Sequence, residues 1–367
     1  MTLQCRRKRR TGGDSLAVDL GSLVSEVKER IAFEELSGRT IAVDAYNTIY
    51  QFLSIIRQPD GTPLTDPKGR VTSHLSGIFY RVINLREYDI RPVFVFDGIP
   101  SHLKQRTIEA RIKRRNDALE EWASAREKGL IEEARIHAMA STRINREIVE
   151  SSKELLSHMG VPFIQAPSEG EAQAASMTNA GLTYAAASQD YDLLLFGSDV
   201  IIRNLTLTGR RKLPRKNAYV EIELERIFMN RFFDNLGINR EQLIAMGMLV
   251  GTDFNRGIDK VGPKTALRIV REHRTLSGVV SFVREKYGAE FDADPEEVMA
   301  VFEKPEVRKM SQEEFSAIVG DARPDRERII SFMCGEHGFS EERIGKFIDR
   351  LLGSEEKKGQ KGINSWM

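Results

Sequence analysis

Cysteine is nearly missing from this chain: Cys5 and Cys334, far apart, are the two among 367 residues. That scarcity excludes a disulfide scaffold and fits a reducing intracellular compartment. Surplus charge is missing as well, because 55 Lys plus Arg against 54 Asp plus Glu leave a net charge of +1. The overall balance therefore carries no footprint of nucleic-acid binding, and any such footprint has to be local. There is no apolar run near the roughly 20 residues that span a bilayer, so the sequence reads as soluble, without a membrane role. The opening MTLQCRRKRRTGGDS is basic but has no apolar core, which excludes a signal peptide and leaves residues 1–15 as a disordered leader. No internal repeat stands out, and no low-complexity tract beyond the two termini.

What the sequence does hold is 41% hydrophobic and 30% charged residues, enough for one large or two modest globular domains with real cores. From Leu36 onward, short β-branched or aromatic runs alternate with longer helical periodicity. RTIAVDAYN, RPVFVFDG and LTYAAASQD each read as a buried strand ending in an acid, which predicts an α/β fold. Ligands bind an open α/β sheet at the carboxyl ends of its strands, so Asp44, Asp97 and Asp190 are expected to converge on one crevice. Between Ile99 and His158 lies a long helical stretch with Lys104, Arg106, Arg111, Lys113, Arg114 and Arg115 in its first part. Such a run is a solvated helix face in one reading; in the other, its place directly after a strand-end acid sets it beside the crevice. The second half turns helical. In GIDKVGPKTALRIVREH, Gly262 and Pro263 punctuate a turn, with Pro263 suited to the first helical position and Ala266, Leu267 and Ile269 to the inward face.

Two stretches carry more acid than burial explains: QAPSEGEAQAA, residues 165–175, and SQDYDLLLFG, residues 188–197. Ser168 with Glu171 forms an S-x-x-E capping box, and Glu169 would suit the positive end of a helix dipole. In an extended DYD segment, Asp190 and Asp192 project from one face about 6 to 7 Å apart. Counted together, Asp44, Asp97, Glu169, Glu171, Asp190, Asp192 and Asp253 are seven carboxylates without obvious partners. Gathered uncompensated, they would repel and several would bind protons, unless multivalent cations sit among them. An all-oxygen set selects Mg²⁺ or Mn²⁺ over zinc, and two such ions about 4 Å apart would activate a water and stabilise the leaving oxygen of a phosphodiester. GIDKVGPKTA is either a helix-turn-helix connection packed for its own sake, or a place where backbone N–H groups after Gly262 hold a phosphate with Lys264 adding charge. Arg210, Arg211, Lys212 and Arg215 read as a solvated hairpin tip or as nucleic-acid backbone contacts.

In order, VDAYNTIYQFL, FVFDGIPSHLK, PSEGEAQAA, SQDYDLLLFGS and VGTDFNRGIDKVGPKTAL resemble the successive motifs of the flap endonuclease family, the XPG-related structure-specific 5′ nucleases, in its archaeal form. The resemblance runs from about Val18 to the C-terminus. It implies a mixed, largely parallel central sheet flanked by helices, a helical arch over the active site and a helix-hairpin-helix element. The implied organisation is a nuclease domain over 16–352, divided at 16–98, 99–158 (arch and following helices), 159–235 and 236–352, with a flexible tail over 353–367. It implies two Mg²⁺ ions, with Mn²⁺ as a substitute: Asp44, Asp97, Glu169 and Glu171 would serve the first, Asp190, Asp192 and Asp253 the second. Lys104 and Arg111 fall at the family's catalytic basic positions. Tyr50 matches an aromatic that stacks on an unpaired base, with a core tyrosine as the other reading, and Gly262, Lys264 and Thr265 match the duplex grip, where K⁺ binds backbone carbonyls. The tail QKGINSWM resembles the motif that inserts into the sliding clamp PCNA, with Gln360, Ile363, Trp366 and Met367 as anchors. The implied activity is Mg²⁺-dependent cleavage of 5′ flaps on branched DNA, with 5′ exonuclease activity, in lagging-strand maturation and long-patch repair, by a cytoplasmic, nucleoid-associated monomer. A non-catalytic, clamp-tethered junction-binding protein is the rival. Three departures stand out: Lys260 occupies a position commonly glycine, Met367 replaces a second aromatic, and Leu16-Ala17-Val18-Asp19 stands where relatives begin Met-Gly-Val-Asp, as if Leu16 marked a non-standard start.

Overall fold

The computed structural model describes residues 20–206, 210–212, 219–320 and 323–364. The leader with Leu16 to Asp19, and Arg215, Trp366 and Met367, lie outside them. The strands are β1 Glu29–Ile31, β2 Thr40–Asp44, β3 Arg91–Phe96, β4 Phe163–Gln165, β5 Ala185–Ala187, β6 Val200–Arg203, β7 Arg210–Lys212, β8 Tyr219–Glu221 and β9 Leu224–Phe228. Through the first part of the chain run α1 Gly21–Val24, α2 Ala45–Ile55, α3 Ser73–Glu87, α4 Gln105–Glu127, α5 Ile131–Ala140, α6 Arg146–His158, α7 Gly170–Asn179 and α8 Asp192–Leu195. The remainder holds α9 Met229–Leu236, α10 Arg240–Val250, α11 Pro263–His273, α12 Leu276–Tyr287, α13 Pro295–Glu303, α14 Gln312–Val319, α15 Arg326–Ile330 and α16 Glu341–Asn364.

Seven strands form one sheet in the order β1-β9-β6-β5-β2-β3-β4. The five from β6 to β4 are parallel, and β9 and β1 close one side antiparallel. The mixed, largely parallel sheet expected from the sequence is therefore present. Its central strands are buried on both faces, which is why they read as unbroken apolar runs. Alternate residues belong to different cores: Ala42, Val93, Val95 and Ala186 to the one with α7, α8, α10 and α11, and Ile41, Val43, Phe94, Phe96, Ala185 and Ala187 to the one with α2, α3 and α6. All the parallel strands point their carboxyl ends to one edge. β7 and β8 pair with each other in a separate hairpin, so Arg210, Arg211 and Lys212 lie on a two-stranded ribbon.

The punctuation at Gly262 and Pro263 is as expected: Gly262 is the N-cap of α11 and Pro263 its first residue, with Ala266, Ile269 and Val270 buried and Leu267 partly so. Lys260, at the position commonly glycine, adopts the left-handed backbone, φ 67°. That backbone costs a residue with a side chain about 1–2 kcal/mol. At the other end, α16 stays helical in its backbone to Asn364, through the segment read as a flexible tail.

A buried polar cluster ties the start of α3 to the turn before α16. His74 is 1% exposed and its Nε2 lies 2.8 Å from Ser151 Oγ, while its Nδ1 has no hydrogen-bond partner. Burial, with His337 nearby, pushes His74 down to about 3 from an ordinary 6.5. A histidine depressed on folding adds stability above its unfolded value, and that stability is lost as pH falls from about 6.5 toward 3, by at most about 1.4 kcal/mol per pH unit. We expect the denaturant midpoint to fall more steeply between pH 6.5 and 4.5 in the parent than in His74→Gln. Equal slopes would refute the buried neutral imidazole.

Candidate metal centre

Each parallel strand that ends at the crevice delivers an acid. Asp44 is the last residue of β2 and the N-cap of α2: its Oδ1 accepts the Asn47 backbone N–H at 3.0 Å and its Oδ2 the Ser188 hydroxyl at 3.2 Å. Asp97 directly follows β3. After β4 comes the SEGEA stretch, and here the structure corrects the expected capping box. Helix α7 starts at Gly170 with Glu169 as its N-cap and no side-chain cap bond. The helix start instead faces Asp97, whose Oδ1 accepts the Gly170 N–H at 2.7 Å. A Cβ at residue 170 would lie 2.6 Å from that same oxygen, so any larger residue there would have to push the Asp97 carboxylate aside. Glu171, freed from capping, turns into the crevice.

The DYD segment is also not the extended strand expected of it. Strand β5 ends at Ala187, Tyr191 turns with φ −87° and ψ 4°, and Asp192 opens the four-residue α8. Asp190 is held by Asn47 Nδ2, which donates to its Oδ2 at 2.8 Å. Arg203 braces the segment by donating to the Tyr191 hydroxyl at 2.5 Å and to Gln189 O at 2.9 Å. Asp253 comes from the loop after α10, which Asn255 ties down by donating to Met248 O at 2.8 Å.

Across this crevice lies the base of α4. Lys104 Nζ pairs with Glu169 and lies 3.2 Å from Asp253 Oδ2. Arg111, two helical turns on, reaches Asp253 Oδ1 at 2.6 Å, and Thr107 donates its hydroxyl to Asp253 O at 2.7 Å. The solvated-face reading therefore fails for Lys104 and Arg111. Lys113 and Arg114 are exposed.

Burial dominates the electrostatics. It pushes Asp44 up to about 8, with Asp97 and Asp190 adding repulsion. It pushes Asp97 up to about 6, with Glu169 adding and Lys104 opposing. Glu171 is raised well above its ordinary value by burial and by Asp192, Asp44 and Asp190, and Asp192 by burial and by Asp253 and Asp190. Asp190 is raised too, by burial and Asp253. Lys104 loses to burial but gains more from Glu169, Asp253 and Asp97, and its ammonium is strongly favoured. These mutual influences place all seven predicted acids in one crevice.

Among the described residues, no three acidic, histidine or cysteine side chains are gathered closely enough to hold an ion as they stand. Yet Glu171 Oε1 and Asp192 Oδ1 are buried with no hydrogen-bond partner. Buried carboxylate oxygens without a hydrogen-bond donor are what a cation would satisfy, and the donor set is all oxygen. The residues fit a hard divalent ion.

Other predicted positions lie apart from the acids. Gly262, Lys264 and Thr265 form the start of α11, with Lys264 exposed. Tyr50, on α2, is half-buried and joins neither apolar core, so the core reading is not met. Gln360 and Ile363 fall in the helical backbone at the end of α16. Sequence reasoning missed Asn47, Thr107, Ser188 and Arg203. A signal existed for two: Asn47 stands three residues after the strand-end Asp44, where an N-capped amide falls, and Ser188 two before Asp190.

The sequence matches the XPG N-terminal domain over residues 18–118 and the XPG I-region over residues 160–253. It is 47% identical over 352 residues to flap endonuclease 1 of Pyrococcus furiosus, covering 96% of this chain and 99% of that protein. Flap endonuclease 1 of Methanosarcina barkeri is 46% identical over 336 residues, covering 92% and 96%. Among solved structures, flap endonuclease-1 from Methanococcus jannaschii superposes with a TM-score of 0.70 at 36% identity, over 93% of this chain and 99% of that one. The catalytic core of Rad2 in complex with DNA substrate gives 0.67 at 25%, over 91% and 99%.

Proposed function

The chain belongs to the flap endonuclease family, and from that premise we propose that its acidic crevice binds two Mg²⁺ ions and that the base of α4 sets the scissile phosphate of a 5′ flap against them. The chain is a structure-specific flap nuclease, and nucleases of its family depend on divalent metal. The observation that carries the finer reading is the pairing of Lys104 and Arg111 with Glu169 and Asp253 in the DNA-free protein. Asp44, Asp97, Glu169 and Glu171 would hold one ion and Asp190, Asp192 and Asp253 the other. Such a pair of ions, or Mn²⁺ in their place, would supply an ionised water and charge at the leaving oxygen.

The protein's own residues bind, aim and neutralise. Arriving phosphate exchanges with carboxylate as the partner of Lys104 and Arg111, so both cations reach the charge that develops in the transition state without being newly buried. Tyr50 stacks on an unpaired base near the cut. The N–H groups that open α11 after Gly262, with Lys264 and Thr265, hold the downstream duplex backbone, and backbone carbonyls of that turn would take K⁺. Gln360, Ile363, Trp366 and Met367 dock on the sliding clamp PCNA. The enzyme works as a monomer in lagging-strand maturation and long-patch repair in the cytoplasm of an archaeal cell.

The test is a double-flap DNA labelled at the 5′ end. One product cut close to the junction, formed with Mg²⁺ and not with EDTA, is expected. Binding without cleavage under any divalent ion would return the chain to the tethering role.

A further inference from the structure

We propose that Asp292 is a positioning residue for the cleavage step, setting Lys104 and Arg111 in register with the loop that carries Asp253. Asp292 lies in the connection between α12 and α13 and is not among the acids of the crevice. Its two oxygens go to two different elements. Oδ1 accepts the Arg256 backbone N–H at 2.8 Å, and Oδ2 pairs with Arg106 at 2.5 Å. Arg256 bridges back to Gly251, so the first contact pins the loop that presents Asp253. Arg106 is the second residue of α4, two after Lys104 and five before Arg111, so the second contact pins the helix that presents both cations. One carboxylate therefore ties the two halves of the Lys104–Asp253–Arg111 contact to each other. Thr107, hydrogen-bonded to Asp253 O, is the direct tie beside it.

The pair is suited to setting a register and not to holding up the fold. Arg106 is 57% exposed and Asp292 25% in their side chains. Ion pairs open to water contribute about 0–1 kcal/mol to stability. A shift of about 1 Å in a charged group facing a reacting phosphate costs far more in rate, up to about a hundredfold. Asp292 acts on the crevice through Arg106 and the Arg256 backbone. The inference rests on the reading that Lys104 and Arg111 act on the scissile phosphate.

The experiment is single-turnover cleavage of double-flap DNA by the Mg²⁺-loaded full chain, with DNA affinity measured in EDTA. It compares the parent, Asp292→Asn, Asp292→Glu, Arg106→Gln, the Asp292→Asn/Arg106→Gln double variant and Lys104→Ala. Asparagine keeps an acceptor for the Arg256 N–H and removes the charge facing Arg106. Asp292→Asn should slow cleavage about three- to tenfold with affinity and melting temperature retained. Asp292→Glu should recover part of the rate, and the double variant should be no slower than either single one. In the metal-free, DNA-free chain, amide hydrogen exchange over 105–111 should quicken in Asp292→Asn. A parent-like rate for Asp292→Asn, whatever its affinity, overturns the positioning role, and so does a slowed rate matched by a fallen melting temperature. If Asp292→Asn does not fold, Arg106→Gln decides on the same terms. Parent-like cleavage by Lys104→Ala would overturn the underlying reading, whereas a slow Lys104→Ala beside a fast Asp292→Asn would overturn the positioning role alone.

Discussion

Replacing Asp192 with asparagine is expected to stop Mg²⁺-dependent flap cleavage, by at least about a thousandfold, while raising the melting temperature of the metal-free protein at pH 8. A thousandfold is roughly 4 kcal/mol of transition-state stabilisation, within what removal of a metal ligand takes from a hydrolytic centre. The second effect follows from where Asp192 sits. It opens α8, is buried, has an oxygen without a hydrogen-bond partner, and faces Asp253 and Asp190. Its carboxyl is held well above the ordinary 3.8. A group raised on folding contributes stability that is fully present below its unfolded value and is lost as pH rises, so at pH 8 its charge opposes folding when no cation is present. Asparagine removes that charge and offers donors to the acids around it. Calorimetry in EDTA and in Mg²⁺ checks both halves. A variant that melts no higher than the parent in EDTA would refute the electrostatic account, and retained cleavage would remove Asp192 from the ligand set.

Lys104→Ala should also be inactive, with the opposite change in stability. Loss of one preorganised cation facing developing charge costs roughly a hundred- to a thousandfold in rate. In the metal-free protein the same change takes from Glu169 its partner, while Asp253 keeps Arg111, and breaking a buried pair from one side costs about 3–5 kcal/mol. We expect Lys104→Ala to melt below the parent in EDTA and to recover most of that loss when Mg²⁺ is added, because divalent ions replace the missing ammonium. DNA affinity should fall little. A variant that melts like the parent in EDTA would mean that Lys104 does not neutralise the crevice.

How much of this was legible beforehand depends on the range of the contact. Strands β2 and β3 announced themselves because strands covered on both faces need unbroken apolar runs, and the acid at each end then marks the crevice. Pro263 fixed the start of α11 through its own ring geometry. The capping box failed because its two residues gave only a local preference of about 1 kcal/mol, which the contact between Gly170 and Asp97, 73 residues apart, overrides. The extended DYD failed for a similar reason: a helix of four residues leaves no periodicity to read. Asn47 holds Asp190 from 143 residues away, and the antiparallel edge β9–β1 joins segments nearly 200 apart; neither pairing leaves a local trace.

The lock between Gly170 and Asp97 also bears on how this chain can drift. A methyl group at residue 170 would intrude on the aspartate oxygen, and a shortened side chain at residue 97 would leave the opening N–H of α7 facing an empty space beside Glu169. Each position is fitted to the other's present shape. Relieving the crowding at residue 170 by shortening residue 97 would remove the very carboxylate proposed to hold an ion, so the demand on the acid passes to its neighbour and one functional requirement constrains two positions.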